Sequence, residues 1–169
     1  MDCRIAGPDD AEGIARAHVA GWQWGYRGLM SDDFLDALSW TDRLDRWMTT
    51  LRDPGLTTTQ VAVAAGVVHG FVLSGPARDL EVSAQPCHEI YSLYIDRSTA
   101  GTGVGSTLLR LGIDRAAPGA RGVTVWVLEG NTRARAFYRR HGFTDDGASK
   151  EYEFGGLRLS DVRMRLSLD

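Results

Sequence analysis

The sequence predicts an α/β fold in which residues 1–169 form one domain: a twisted, mixed but mostly antiparallel sheet of six or seven strands with helices on both faces. Three observations predict it. Helical periodicity ahead of Asp53-Pro54-Gly55 gives way to strand-like periodicity after it. The run Val123–Val127 is continuously apolar, as in a strand buried on both faces of a parallel pairing, and a helical stretch precedes it. The tail alternates Leu157, Leu159, Val162, Met164 and Leu166 with Arg158, Asp161, Arg163 and Arg165, which reads as one more antiparallel pair.

Taken in order, Cys3–Ala6 is a short strand, and Gly7-Pro8-Asp9-Asp10 is a turn whose carboxylates can cap a helix over Ala11–Ala20. That helix sets Ile14, Ala17 and His18 on one stripe. The segment Gly21–Gly28 is too glycine-rich for a helix and too aromatic for an idle linker. Ser31-Asp32-Asp33 caps a second helix through Leu38, and a third runs over Thr41–Leu51. Thr58–Ala65 and Val67–Ser74 flank Gly66 as a hairpin, and His88–Ile95 is a further strand. After the glycines of 101–105 a helix extends to about Ala117, with Val104, Leu108, Leu111 and Arg115 on one face, until Pro118-Gly119 ends it. Beyond Gly122–Leu128, a short helix over Thr132–His141 takes Asn131 as N-cap and Gly142 at C′. Phe154 then leads through Gly155-Gly156 into the last strand.

Composition removes several classes of function. A hydrophobic fraction of 43% is enough for a real core, and a net charge of -3 leaves no electrostatic footprint for nucleic acid or an anionic membrane surface. Cys3 and Cys87 show neither CxxC spacing nor partnered histidines, so neither a disulfide framework nor a metal is indicated. Without a basic start leading into an apolar stretch, a cytoplasmic location is expected. A homodimer is left open.

The strand ending Leu93-Tyr94-Ile95 runs into Gly101-Thr102-Gly103-Val104-Gly105-Ser106, which opens a helix. Glycines let backbone N–H groups turn inward, and a helix N-terminus adds about half a positive charge, so a diphosphate can bind without side-chain cations. A tight turn alone would need fewer glycines. A P-loop is excluded because Lys150, the single lysine, lies far from the loop. A dinucleotide fingerprint is excluded because it needs glycine at Ser106 and an acidic residue where Arg121 and Gly122 stand.

The loop AGTGVGSTLL and the downstream segment NTRARAFYRRHGF, in that order and at that separation, resemble the two signature motifs of the GNAT acyltransferases. The opening IAGPDDAEGIARAHV and the segment GWQWGYRGLM are also similar to that superfamily, so the resemblance spans nearly the whole chain. It implies acetyl-CoA or coenzyme A as co-substrate and no metal. Leu93, Tyr94 and Ile95 would offer backbone groups to the pantetheine arm beside a splayed strand. Gly101, Thr102, Gly103, Val104, Gly105 and Ser106 would hold the pyrophosphate, and Asn131 and Tyr138 would lie near the pantetheine and the thioester sulfur. Those two side chains sit two helical turns apart, about 10 Å along the axis. The chain departs from the pattern at Ala100, where the family's loop usually begins with Gln or Arg, and at Arg97, where many relatives carry proline. Weaker coenzyme binding is expected.

Acyl transfer to an amine needs a free amine and a proton for the departing thiolate. Tyr138 is the candidate acid; an ordinary tyrosine pKa of about 10 against about 8.5 for a thiol makes the transfer slightly uphill. The alternative is that Tyr138 packs beside Phe137. Glu89 is the candidate base, acting through water as in some relatives; otherwise it is a strand-end carboxylate. His88 and His141 read as structural. Trp22, Trp24 and Tyr26 fall in the region that forms the acceptor pocket in relatives, and they equally suit burial of the first helices. The expected activity is N-acetyl transfer to a primary amine of a small molecule by direct transfer in a ternary complex. The alternatives are a non-catalytic acyl-CoA-binding regulatory module and a protein N-terminal or lysine acetyltransferase.

Overall fold

A computed structural model describes residues 1–79, 86–154 and 156–168. Along the chain, β1 (Asp2–Ile5), α1 (Ala11–Gly25), α2 (Asp32–Asp36) and α3 (Thr41–Arg52) precede β2 (Thr58–Ala64), β3 (Val67–Pro76) and β4 (Cys87–Ile95). Then come α4 (Val104–Ile113), β5 (Gly122–Leu128), α5 (Thr132–Arg140), β6 (Thr144–Phe154) and β7 (Leu157–Ser167). The described residues form a seven-stranded sheet in the order β1-β2-β3-β4-β5-β7-β6. Every pairing is antiparallel except β4 with β5, as the two-sided apolar run and the crossover helix α4 require.

Helices cover both faces. On one, α1 and α3 bury Ile14, Ala15 and Trp47 against Val61 and Phe71. On the other, Leu108 and Leu109 of α4 and Tyr138 of α5 pack on Val72, Ile90, Val125 and Met164. Leu108 and Leu109 are 0% exposed, and each contributes about 1.5–3 kcal/mol by leaving water.

The structure departs from the sequence reading at several element ends. α1 does not stop near Ala20 but runs to Gly25 through the glycine-rich stretch. The reason is tertiary: a Cβ on Gly21 would lie 2.8 Å from Tyr94 Cβ, so the glycine lets the helix approach β4 closely, and this packing outweighs glycine's poor helix propensity. Asp10 does not cap α1; its carboxylate accepts the Gly7 N–H at 2.8 Å and pairs with Arg4 at 2.7 Å. α4 ends at Ile113 rather than about Ala117, closing in turns that donate from Arg115 to Gly112 and from Ala116 to Ile113. β6 begins at Thr144, earlier than the alternation around Tyr152 indicates, because an irregularity between Asp145 and Ser149 breaks its period. Gly155 of the last turn lies outside the described residues.

Other local signals hold. Ser31 Oγ accepts the Phe34 N–H at 3.1 Å, Asn131 Oδ1 accepts the Ala134 N–H at 3.0 Å, and Gly142 takes φ +85° after α5. No helix of the described residues is long and apolar enough to cross a membrane.

Candidate active site

The parallel pairing of β4 with β5 is short, running from Cys87↔Gly122 to Ile90↔Val125. Past that point the strands separate. Leu93, Tyr94 and Ile95 stay bonded to β3, while Trp126, Val127 and Leu128 stay bonded to β7. Each strand therefore turns an unpaired backbone edge into the gap, and an extended ligand can bond there as an added strand does. The gap opens into a cleft of about 460 Å³, lined by Leu93, Tyr94, Ile95, Gly101, Gly103, Gly105, Ser106, Asn131 and Tyr138 of the predicted set.

The glycine loop forms one mouth of this cleft. Gly101 and Gly103 adopt φ +78° and +91°, in the left-handed region that a side chain disfavours, and nothing stands within 4 Å of a Cβ built on either. The first bond of α4 runs from the Thr107 N–H to the Gly103 carbonyl at 3.0 Å, so the N–H groups of Val104, Gly105 and Ser106 precede the helical ladder and remain available to an anion. An open surface of this kind fits a diphosphate. Thr102 and Val104 do not line the cleft with their side chains: Thr102 Oγ1 donates to the Thr99 carbonyl at 2.7 Å, and Val104 is buried in the core. The Ser106 hydroxyl is engaged within the protein, so its N–H is the group left for a ligand. His141 Nδ1 lies 2.9 Å from the Phe137 carbonyl, which can only accept, so Nε2 accepts from Ser106 Oγ at 2.9 Å. This bond ties the end of α5 to the start of α4, a structural use of His141.

Further in, Tyr138 forms part of the wall and is 6% exposed, its ring edge-on to Phe143 at 5.5 Å. Packing and a place on the cleft are thus both realised by one side chain. Burial, and then the neighbouring Tyr26, push its pKa well above the ordinary tyrosine value, so the hydroxyl keeps its proton throughout the neutral range. The Tyr26 and Tyr94 hydroxyls bond to each other at 3.0 Å. Both line the cleft, and burial raises the pKa of each.

The predicted aromatic residues divide. Trp24 and Tyr26 line the cleft, but Trp22 does not; its ring packs on Tyr26 at 5.1 Å and on Phe154 at 5.7 Å. Beside them, Asp161 faces Leu128 across β5 and β7, accepts the Tyr152 hydroxyl at 3.1 Å, and has its pKa raised by burial. In the sequence Asp161 shows only as a polar residue of an alternating strand.

Glu89 does not stand where a base would. It is 1% exposed, is absent from the cleft wall, and is gripped by the Arg78 guanidinium and by the Arg78 N–H at 3.0 Å. It is neither the exposed strand-end carboxylate nor the free base that its place in β4 allows. Its partner approaches from beyond β3, where no local pattern announces it. His88 is buried, and burial lowers its pKa, in keeping with a structural role. Arg133, Phe137 and Arg140 of α5 also line the cleft; the motif contains them, but only the helix orientation singles them out. Among the described residues no group of three His, Cys, Asp or Glu side chains could hold a metal.

A sheet split at one parallel pair, with a left-handed glycine cradle at one end of the split and a buried tyrosine within it, suits an extended donor that carries a diphosphate. The family comparison agrees: residues 19–143 match the acetyltransferase (GNAT) family, to which the chain belongs, and it is an acetyl-CoA-dependent N-acetyltransferase. The uncharacterized N-acetyltransferase YuaI of Bacillus subtilis is 29% identical over 161 residues, covering 94% of this chain and 88% of that protein. The fold superposes with a TM-score of 0.73 on the PaiA N-acetyltransferase of Thermoplasma acidophilum in complex with coenzyme A, at 18% identity and over 99% of this chain and 100% of that one. It superposes at 0.70 on yncA of Salmonella typhimurium with its cofactor acetyl-CoA, at 22% identity, over 100% of this chain and 94% of that one.

Proposed function

We propose that the chain moves the acetyl group of acetyl-CoA directly to the primary amine of a small molecule within a ternary complex. The observation that carries this reading is the continuity of the cleft, which joins the glycine cradle, Tyr138 and an aromatic end in one cavity. The acetyl-CoA diphosphate lies on the N–H groups of Gly101–Ser106, and its pantetheine arm bonds the free edges of Leu93–Ile95 and Trp126–Leu128. The acceptor amine enters past Tyr26. Its nitrogen forms the new N–C bond at the thioester carbonyl, the C–S bond breaks, and the electron pair leaves on sulfur. The Tyr138 hydroxyl supplies a hydrogen bond or proton there. The proton lost from nitrogen passes to water at the open end, since the Glu89 carboxylate is engaged by Arg78.

Neither cysteine lines the cleft, which supports direct transfer over a covalent acyl-enzyme. The aromatic surroundings of Tyr26 favour an amine with an apolar body. Thiol release from acetyl-CoA across a panel of small amines and amine-bearing peptides tests the reading. Small amines should accelerate release, with initial-velocity lines that intersect. Parallel lines would replace direct transfer with a covalent intermediate, peptide-only turnover would make this a protein acetyltransferase, and silence with coenzyme binding intact would leave a binding module.

A further inference from the structure

Ala100 deprives the phosphate loop of the long polar side chain expected at its start, yet the mouth beside it is not without cations. Arg133, in the first turn of α5, lines the cleft together with Ala100, Gly101 and Gly103. Its guanidinium carbon stands 3.7 Å from the centroid of the Trp24 ring, and a Cβ on Gly25 would lie 3.9 Å from its Nη2, so the side chain bridges from α5 to the end of α1. A guanidinium placed over an indole face is oriented without using its in-plane N–H donors, which remain free for an anionic oxygen. Elsewhere on the same helix, Arg135 and Arg139 are neutralised by Asp145 at 3.2 and 2.6 Å. Among the described residues, Arg133, Arg97 and the cleft-lining Arg140 enter no ion pair, and of these Arg133 is the one held over an aromatic ring. Arg97 is near enough that its charge adds to burial in lowering the Arg133 pKa. A cation on the cleft wall with a second cation close by, in a chain of net charge -3, marks a place for an anion.

We propose that Arg133, positioned by the Trp24 ring, supplies to the coenzyme diphosphate the side-chain contact that Ala100 cannot. Trp24 is then a positioning residue of the donor end rather than a wall of the acceptor pocket. The inference rests on coenzyme A as donor. Its test reads binding rather than turnover, so a failure to find the acceptor leaves it intact.

Calorimetric affinities of coenzyme A, 3′-dephospho-coenzyme A and pantetheine are compared in wild type, Arg133→Gln and Trp24→Leu. Loss of a charge-assisted contact should weaken coenzyme A by about 10- to 100-fold in Arg133→Gln. Dephospho-coenzyme A should lose the same factor, and pantetheine, which lacks the diphosphate, nothing. Trp24→Leu should reproduce part of this pattern and add little in the Arg133→Gln background, as expected of residues acting through one another. Ala100→Arg in that background should restore most of the lost affinity. Unchanged coenzyme A affinity in Arg133→Gln, an equal loss for pantetheine, a loss confined to ligands with the 3′-phosphate, or no recovery with Ala100→Arg would each overturn the proposal. Failure of the wild type to bind coenzyme A would instead overturn the donor assignment.

Discussion

The two ends of the cleft are built by different means. At the donor end the groups offered to a ligand are mostly backbone: the N–H groups that open α4, the left-handed turns at Gly101 and Gly103, and the edges of β4 and β5 where they part. At the end proposed for the acceptor they are side chains, the mutually bonded hydroxyls of Tyr26 and Tyr94 among them, with the Tyr152–Asp161 pair of β6 and β7 behind the wall. Backbone N–H groups are present whatever side chain a position carries, so Ala100 leaves those of the loop in place. A pocket of side chains can be re-cut one residue at a time, so on the proposed reading acceptor preference would be set there.

The largest effect should come from breaking the backbone end. Gly103→Val forces a β-branched residue into φ +91° and places its side chain in the open space before the loop. Because that space holds no protein atoms, the variant should fold, while coenzyme A affinity falls by at least about 100-fold and the coenzyme-induced rise in Tm disappears. A folded variant that keeps the full rise would show that the loop is an ordinary turn.

Tyr138, on the wall of the same cleft, is the proposed acid. Removing its hydroxyl in Tyr138→Phe should lower kcat by about 10- to 100-fold with little change in coenzyme affinity. Because its pKa is raised, the acid should not ionise below about pH 10, so pH profiles of the wild type should lack a descending limb from this group in the neutral range. Wild-type kcat in the Phe variant would reduce Tyr138 to packing.

The acceptor end should also be the acid-sensitive one. His18 of α1 stacks on Tyr94 at 5.1 Å and accepts the Trp47 indole N–H at 3.3 Å. Burial, then Arg43 and Arg46, pull its pKa down to about 3. The folded state thus holds the ring neutral, while the unfolded chain takes up a proton near the ordinary value of about 6.5. Stability from this source is complete above that value and declines as pH falls toward 3, by about 2 kcal/mol between pH 6.5 and 5. Denaturant unfolding at pH 7 and 5 should show the loss, and His18→Phe should flatten the slope. An unchanged slope in that variant would place the acid sensitivity elsewhere.

The smallest kinetic effect should follow Glu89→Gln. With its carboxylate committed to Arg78, the substitution should lower Tm while changing kcat by less than about 3-fold. A fall of 100-fold or more, with loss of an acidic limb in the pH profile, would restore Glu89 as the base and break the assignment of proton removal to water.

The features legible from residue type and spacing are local. The glycine spacing of 101–105, the Asn131 cap, the Ser31 cap and the period of β5 each depend on bonds within a few residues of chain, so residue type and spacing carry them directly. The order of β4, α4, β5 and α5, and with it the donor end of the site, follows from those signals. Contacts between segments remote in the chain have no such local signal. α1 continues through Gly21 because Tyr94 stands against it, Glu89 is claimed by Arg78, Trp22 turns to Phe154 instead of the cleft, and Arg133 comes to rest over Trp24. The short-range pattern at each of these positions is compatible with several partners. Which partner is met depends on how the sheet twists and where the helices dock on it, and those are settled by packing of the whole core.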